Sequence, residues 1–188
     1  MATLTGNRGN CDKNPAADAD DDPNIDGAEL QHRMMKKLFK AVDDGDANRV
    51  KALLNTCGEL VDERRDDIRN GNTPLTWAAW KGHAEVVKLL LAKNASTDLQ
   101  NKHGCTALML AADKGHADIV KLLLAKNAST DLQTENGDTA LTLAADKGHT
   151  EVVELLLAKN ASTDLQSKNG STALTFAAEK GHAKVVEL

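Results

Sequence analysis

Val87-Lys88-Leu89-Leu90-Leu91-Ala92-Lys93-Asn94-Ala95-Ser96-Thr97-Asp98-Leu99-Gln100 recurs letter for letter at 120–133, and with one change, Glu154 for Lys121, at 153–166. The glycines at 71, 104, 137 and 170 keep the same spacing of 33 residues. A fixed period of this size marks stacked supersecondary units, each packing on its neighbours, rather than one globular core. Such a chain is a scaffold, and its specificity is written in the few surface positions that vary.

Composition agrees. The 188 residues have room for one domain, aromatic residues make up 2% and tyrosine is absent, so a core built on large rings is excluded. Alanine, leucine and valine suit thin layers of short helices. The net charge is −5, and residues 1–26 set Arg8 and Lys13 against six aspartates, which places four of those charges in that segment. The remainder is nearly neutral and carries no electrostatic footprint for nucleic acid or an anionic membrane. Cys11, Cys57 and Cys105 form no CxxC pair and read as reduced thiols. The opening Met1-Ala2-Thr3-Leu4-Thr5-Gly6 lacks the apolar run of a secretory leader, and no stretch is long enough to span a bilayer. The expected location is the cytoplasm or nucleus. The sequons at Asn94, Asn127, Asn160 and Asn169 are accordingly expected to stay unmodified.

Residues 1–26 are poor in large apolar side chains and are predicted to be a disordered acidic tail. The repeat domain is predicted over 27–188. Its divergent first unit, 27–70, places Leu30, Met34, Leu38, Ala41 and Val42 on one helical face and Val50, Leu53 and Leu54 on a second. Its outgoing loop, 55–70, is four residues longer than the later ones and heavily charged. Full units follow at 71–103, 104–136 and 137–169. In each, a first helix ends at a glycine (Gly82 in the first), and a second runs to an asparagine such as Asn94. Thr73 suits an N-cap, Pro74 the first helical position, and Asn94 a left-handed terminus. Residues 170–188 supply part of a further unit, stop within its second helix, and read as truncated.

Thr73-Pro74-Leu75-Thr76-Trp77-Ala78-Ala79, then Gly82-His83 and Leu89-Leu90-Leu91, resemble the ankyrin repeat, with its T-P-L-H-x-A signature at a period of 33. The resemblance covers roughly 30–188. It implies an all-α, right-handed solenoid of helix–turn–helix units with projecting β-turn or hairpin loops. The motif histidine is replaced by Thr76, Met109, Thr142 and Thr175, and its proline by Ala107, Ala140 and Ala173. A hydrogen bond between loops that the family uses is thereby lost; threonine is expected to restore part of it and Met109 none.

His83, His116, His149 and His182 recur after a glycine. Neighbouring units lie on the order of 10 Å apart, too far for coordination at roughly 2 Å, so these histidines are expected to be structural. No nucleophile–base set and no phosphate-binding loop stands out, and no catalytic residue, metal, cofactor or small-molecule substrate is expected. The resemblance implies a concave face lined by loop tips and the ends of the first helices. Candidate protein-binding residues are therefore Trp80 and Lys81, Lys102 and His103, Asp113, Glu135 and Asn136, and Asp146. Trp80 replaces an acid found at 113, 146 and 179, which suits a binding anchor; packing against the longer first unit is the other reading. Trp77 shares its position with Leu110, Leu143 and Phe176 and is expected in the core. The expected function is non-catalytic binding of another protein by a monomer. Alternatives are the targeting region of a longer protein with a catalytic or channel domain beyond residue 188, and a passive elastic spacer.

Overall fold

The computed structural model describes residues 27–64 and 70–188. The tail expected over 1–26 and the middle of the charged loop lie outside the described residues. The described chain forms ten α-helices: α1 (Gly27–Asp43), α2 (Ala47–Thr56), α3 (Pro74–Lys81), α4 (Ala84–Ala92), α5 (Ala107–Lys114), α6 (Ala117–Ala125), α7 (Ala140–Lys147), α8 (Thr150–Leu157), α9 (Ala173–Glu179) and α10 (Ala183–Val186). Odd-numbered helices stack in one row and even-numbered ones in another, each pair joined by a tight turn. This is the all-α helix–turn–helix solenoid that the period predicts.

Local chemistry fixes the boundaries. Thr73, Thr106, Thr139 and Thr172 cap the first helices, each accepting the amide three residues on. Thr142 Oγ1 and Thr175 Oγ1 in turn accept the amides of Thr139 and Thr172 (2.8 and 2.6 Å), closing capping boxes. Threonine thus serves its own unit rather than bridging loops. Met109 departs from expectation: its buried sulfur lies 3.4 Å from the Thr106 amide and takes the same acceptor position, weakly. Bonds between loops come instead from Gln100 Nε2, which donates to Gly104 O (2.8 Å) and to Gln133 O (2.9 Å); Gln133 repeats the pattern with Gly137 O and Gln166 O.

The first helices meet over buried alanine pairs (Ala78 and Ala79, Ala111 and Ala112, Ala144 and Ala145), while the second helices meet over Val and Leu. Small residues let the first row pack more extensively than the second. The first helices form the side of the stack that the family resemblance makes its inner, concave one. Asn94, Asn127 and Asn160 take left-handed φ of 58–61° after the second helices, a conformation asparagine tolerates better than other side chains. The next residue, Ala95, Ala128 or Ala161, is buried. The amides of Ser96, Ser129 and Ser162 then donate to Asp62, Asp98 and Asp131 of the preceding unit (2.9–3.0 Å). The invariant Asn-Ala-Ser-Thr-Asp-Leu-Gln segment is a clamp between units.

The turn histidines complete the stacking. His83, His149 and His182 place Nε2 3.0–3.2 Å from the carbonyls of Asp43, Asp113 and Asp146 one unit earlier. The carbonyl can only accept, so Nε2 carries the proton. Each ring lies against the preceding turn glycine: a Cβ built on Gly115, at φ +73°, would come within 2.7 Å of His149. Glycine is required twice, by φ and by contact.

Two first-unit expectations need correction. The loop after α2 is not simply a charged excursion, because a 3-10 turn over Gly58–Asp62 buries Leu60, and Cys57 beside it is buried too. Phe39, absent from the predicted apolar face of α1, is fully buried.

Gly115→Ala should destabilise the protein by about 1–3 kcal/mol through strain at positive φ and the ring clash. In a double-mutant cycle with His149→Ala the two losses should fall short of additivity, since removing the ring relieves the clash. Urea unfolding of the four proteins measures this, and additive losses would show that ring and turn do not touch.

Candidate functional site

The inner side of the stack carries a row at 33-residue intervals, Trp77, Leu110, Leu143 and Phe176, one per first helix. All four are half-buried, and Trp77 and Leu143 pack against the core from its edge. This corrects the core assignment of Trp77. Trp77 comes immediately before the buried Ala78 and Ala79, so the helix turns its side chain about 100° per residue away from theirs, to the rim of the apolar stripe, where one side meets solvent.

At the first-unit end the row becomes an aromatic cluster. The Trp77 indole donates to Asp43 Oδ1 (3.2 Å), and its ring centroid is 4.8 Å from that of Trp80, tilted by 33°. Lys81 Nζ stands 5.3 Å from both rings, and Lys114 Nζ 5.9 Å from Trp80, within cation–π range. Trp80 is half-buried on Trp77, so it is neither a free-standing ring nor part of the core. Lys81 also reaches Asp43 Oδ1 at 3.0 Å.

Farther along, the carboxylates Asp113 and Asp146 are each met by the next lysine, Lys114 (2.9 Å) and Lys147 (2.8 Å), and Lys180 approaches Asp146 at 3.9 Å. The Asp146 hydrogen bond holds Lys147 protonated above its ordinary range. These pairs are solvent-facing and contribute little to stability.

The loop tips adjoin this surface. Asn101 and Cys105 close a turn through Asn101 N to Cys105 O (3.0 Å) and Gly104 N to Asn101 O (3.0 Å). Successive tips are joined through backbone: Lys102 N to Asn70 O, Glu135 N to His103 O, and Lys168 N to Asn136 O (2.8–3.0 Å). The side chains of Lys102, His103, Glu135 and Asn136 are exposed on this fixed frame. The structure thus holds Trp80, Lys81, Asp113 and Asp146 in one row along the first helices and the four tip residues in a second row beside it.

Asp138 and Cys105 were missed by sequence reasoning. They occupy equivalent positions, with Asn72 and Ser171, just after the turn glycine. Burial, and then the nearby Asp146, raises the Asp138 carboxyl above the usual range. Burial, followed by Asp113, Asp138 and Glu135, raises the Cys105 thiol. Burial is the main cause of both shifts, and the carboxylates gathered between the tips and the first helices add to it. A raised thiol pKa also leaves Cys105 a poor nucleophile. Among the described residues, no three His, Cys, Asp or Glu side chains converge on a point where a metal ion could be held, and no helix is long and apolar enough to cross a membrane.

Because the folded state raises the Asp138 pKa, it binds that proton more tightly than the unfolded chain does. Ionised Asp138 therefore costs stability at neutral pH, and the cost fades as pH falls through the raised folded pKa. Asn72 already fills the equivalent place, buried, with its Oδ1 accepting from Asn101 Nδ2 at 2.9 Å. Asp138→Asn should accordingly raise stability at pH 7 and lose that gain near pH 3, below the unfolded carboxylate pKa of about 3.9. Urea midpoints at the two pH values decide it; an equal gain at both would remove ionisation as the cause.

A family model described as ankyrin repeats (3 copies) matches residues 38–134 and again 126–188. Over 69 residues the chain is 40% identical to the probable E3 ubiquitin-protein ligase XBOS33 of Oryza sativa subsp. japonica and 36% identical to the probable E3 ubiquitin-protein ligase XBOS32 of the same plant. Each alignment covers 37% of this chain, and 13% and 14% of the respective relatives' lengths. Period, capping threonines, turn histidines and stacked helix pairs agree with the family match, and the chain belongs to the ankyrin repeat family, whose repeats are protein-interaction modules.

Proposed function

We propose that this chain is a non-catalytic recognition module that holds a segment of another protein along its inner face. One observation carries the reading: a half-buried apolar row, Trp77 to Phe176, runs beside the carboxylates of Asp113, Asp138 and Asp146. Apolar surface that is already partly desolvated, rimmed by charge, fits the anatomy of a binding interface. The aromatic end, Trp77 with Trp80, suits an apolar anchor. The acidic stretch beyond it suits basic residues that follow the anchor. Lys81, Lys114 and Lys147 offset part of that charge and leave room for ion-pair exchange on binding.

A second reading extends this one. The relatives are named as probable E3 ubiquitin-protein ligases, and this chain matches a small share of each. This supports an array that selects the partner on behalf of a longer polypeptide. The inner face would do the same work in either setting.

Selection from a random peptide display library tests the inner face directly. Enriched sequences should carry a large apolar residue followed by Lys or Arg. Trp80→Ala should weaken the best of them by about 30-fold, or about 2 kcal/mol, with helix content unchanged by circular dichroism. Asp113→Lys combined with Asp146→Lys should slow association, more at low salt than at high salt. No enrichment would favour a passive spacer. Loss of helix content in Trp80→Ala would make that ring packing rather than recognition.

A further inference from the structure

Positions 80, 113 and 146 are equivalent, one per unit, and each is the last residue but one of its helix, α3, α5 or α7. The Asp113 and Asp146 carbonyls accept Nε2 of His149 and His182 from a later turn (3.1 and 3.0 Å), which fixes their main chains. The three side chains therefore stand on a ladder whose rungs are separated by the distance between packed helices, about 8–10 Å. Building on the recognition reading above, we propose that the inner face takes a polyproline II segment of another protein. That segment carries a large apolar residue at one position and Lys or Arg three and six residues after it.

Peptide conformations differ in which residues reach such a ladder. A β-strand advances about 3.3 Å per residue, so three residues span a rung, yet residues three apart point to opposite faces. Strand addition also needs free main-chain groups. Those at the tips are already engaged with one another, Lys102 N with Asn70 O (2.9 Å) and Glu135 N with His103 O (3.0 Å). An α-helix returns to one face after about seven residues but needs an apolar stripe along its length. The surface beside Leu110 and Leu143 is charged instead, at Asp113, Lys114, Asp146 and Lys147. Polyproline II has three residues per turn, so residues three apart share a face and lie about 9 Å from each other, which matches the ladder. It makes no internal hydrogen bonds, and side chains alone read it.

The rungs set the chemistry. Trp80 stacks on Trp77 with ring centroids 4.8 Å apart, an aromatic seat for an apolar side chain. The Asp113 and Asp146 side chains are less exposed than the lysines that meet them, 24% and 23% against 42% and 48%. Each pair joins adjacent residues of one helix, a spacing at which side chains do not face each other. An incoming cation therefore displaces Lys114 or Lys147 from a weak, solvent-facing pairing.

Synthetic peptides of one composition test the register against the 188-residue chain. Each carries a leucine and then two lysines in a background of proline and alanine, with the three set two, three, four or seven residues apart. Both tryptophans of the protein lie on α3, so their emission reports on the anchor, while anisotropy of labelled peptide gives the affinity. The three-residue spacing should bind tightest, by about fivefold to tenfold, the effect of misplacing two exposed ion pairs. Asp113→Asn should weaken that peptide by about threefold and remove the difference between Lys and Gln at its first basic position. Equal affinity at every spacing, with tryptophan emission still shifted, would overturn the register and leave the recognition reading standing. A preference for seven would overturn it in favour of a helical partner. No binding and no emission change at any spacing would overturn it too, and if the display selection also fails, the recognition reading falls with it.

Discussion

Every feature of this molecule depends on the contact between one repeat and the next. A single unit of two short helices is too small to bury its own apolar face, and helices of eight or nine residues are marginal in water by themselves. Stability is therefore a sum over neighbouring pairs. Three devices serve each pair. Alanine on alanine brings the first helices close, the turn histidine seals the glycine of the unit before, and the Asn-Ala-Ser-Thr-Asp-Leu-Gln segment joins loops through Asp and Gln. They work at different heights along the repeat, so together they fix rotation as well as distance.

Because the devices are made largely by backbone groups and by residues that hardly change between units, they leave a separate set of positions free of structural duty. The loop tips show this division. Their main chains are tied to one another across units, while the side chains at 102, 103, 135 and 136 face solvent. Positions 80, 113 and 146 follow the same logic on the first helices, where tryptophan replaces an acid without disturbing the alanine contact beneath it. Much of the variation between the full units falls on the first helices and the loop tips, with a few changes, such as Glu154 for Lys121, on the second helices.

What could be read from the sequence was what is decided locally. Period, helix ends, left-handed asparagines and capping threonines each depend on a few adjacent residues, and all stand in the structure as the residues imply. The failures lie in side-chain contacts that periodicity and residue class do not reveal. Trp77 occupies a helical position that looks apolar by analogy with Leu110, yet the inner face leaves it half open. Leu60 lies in a run of charged residues, and only the 3-10 turn reveals that it points inward. Met109 takes over a polar contact because thioether sulfur is soft enough to accept an amide, a role its apolar classification conceals. Asp138 is raised in part by Asp146, eight residues away and on a helix. The Asp and Gln of the linking segment were visible as repeated letters, but their partners, about 30 residues distant, were not.

The distribution of the variable positions gives the inner face a direction. Both tryptophans lie on α3 at the first-unit end, with Phe176 at the far end of the row, and the carboxylates of Asp113, Glu135, Asp138 and Asp146, which add to burial in raising Cys105 and Asp138, lie on the two units between. Identical repeats alone would give the side-chain chemistry of the face no gradient along its length. Here reversal would bring basic groups over Trp80, whose ring already has Lys81 and Lys114 within cation–π distance, and would carry the apolar anchor onto carboxylates. Both placements are unfavourable, one by repulsion between cations and the other by desolvation of charge without compensation. Near-identical repeats thus provide rigidity, and two departures from identity give the proposed binding face its direction.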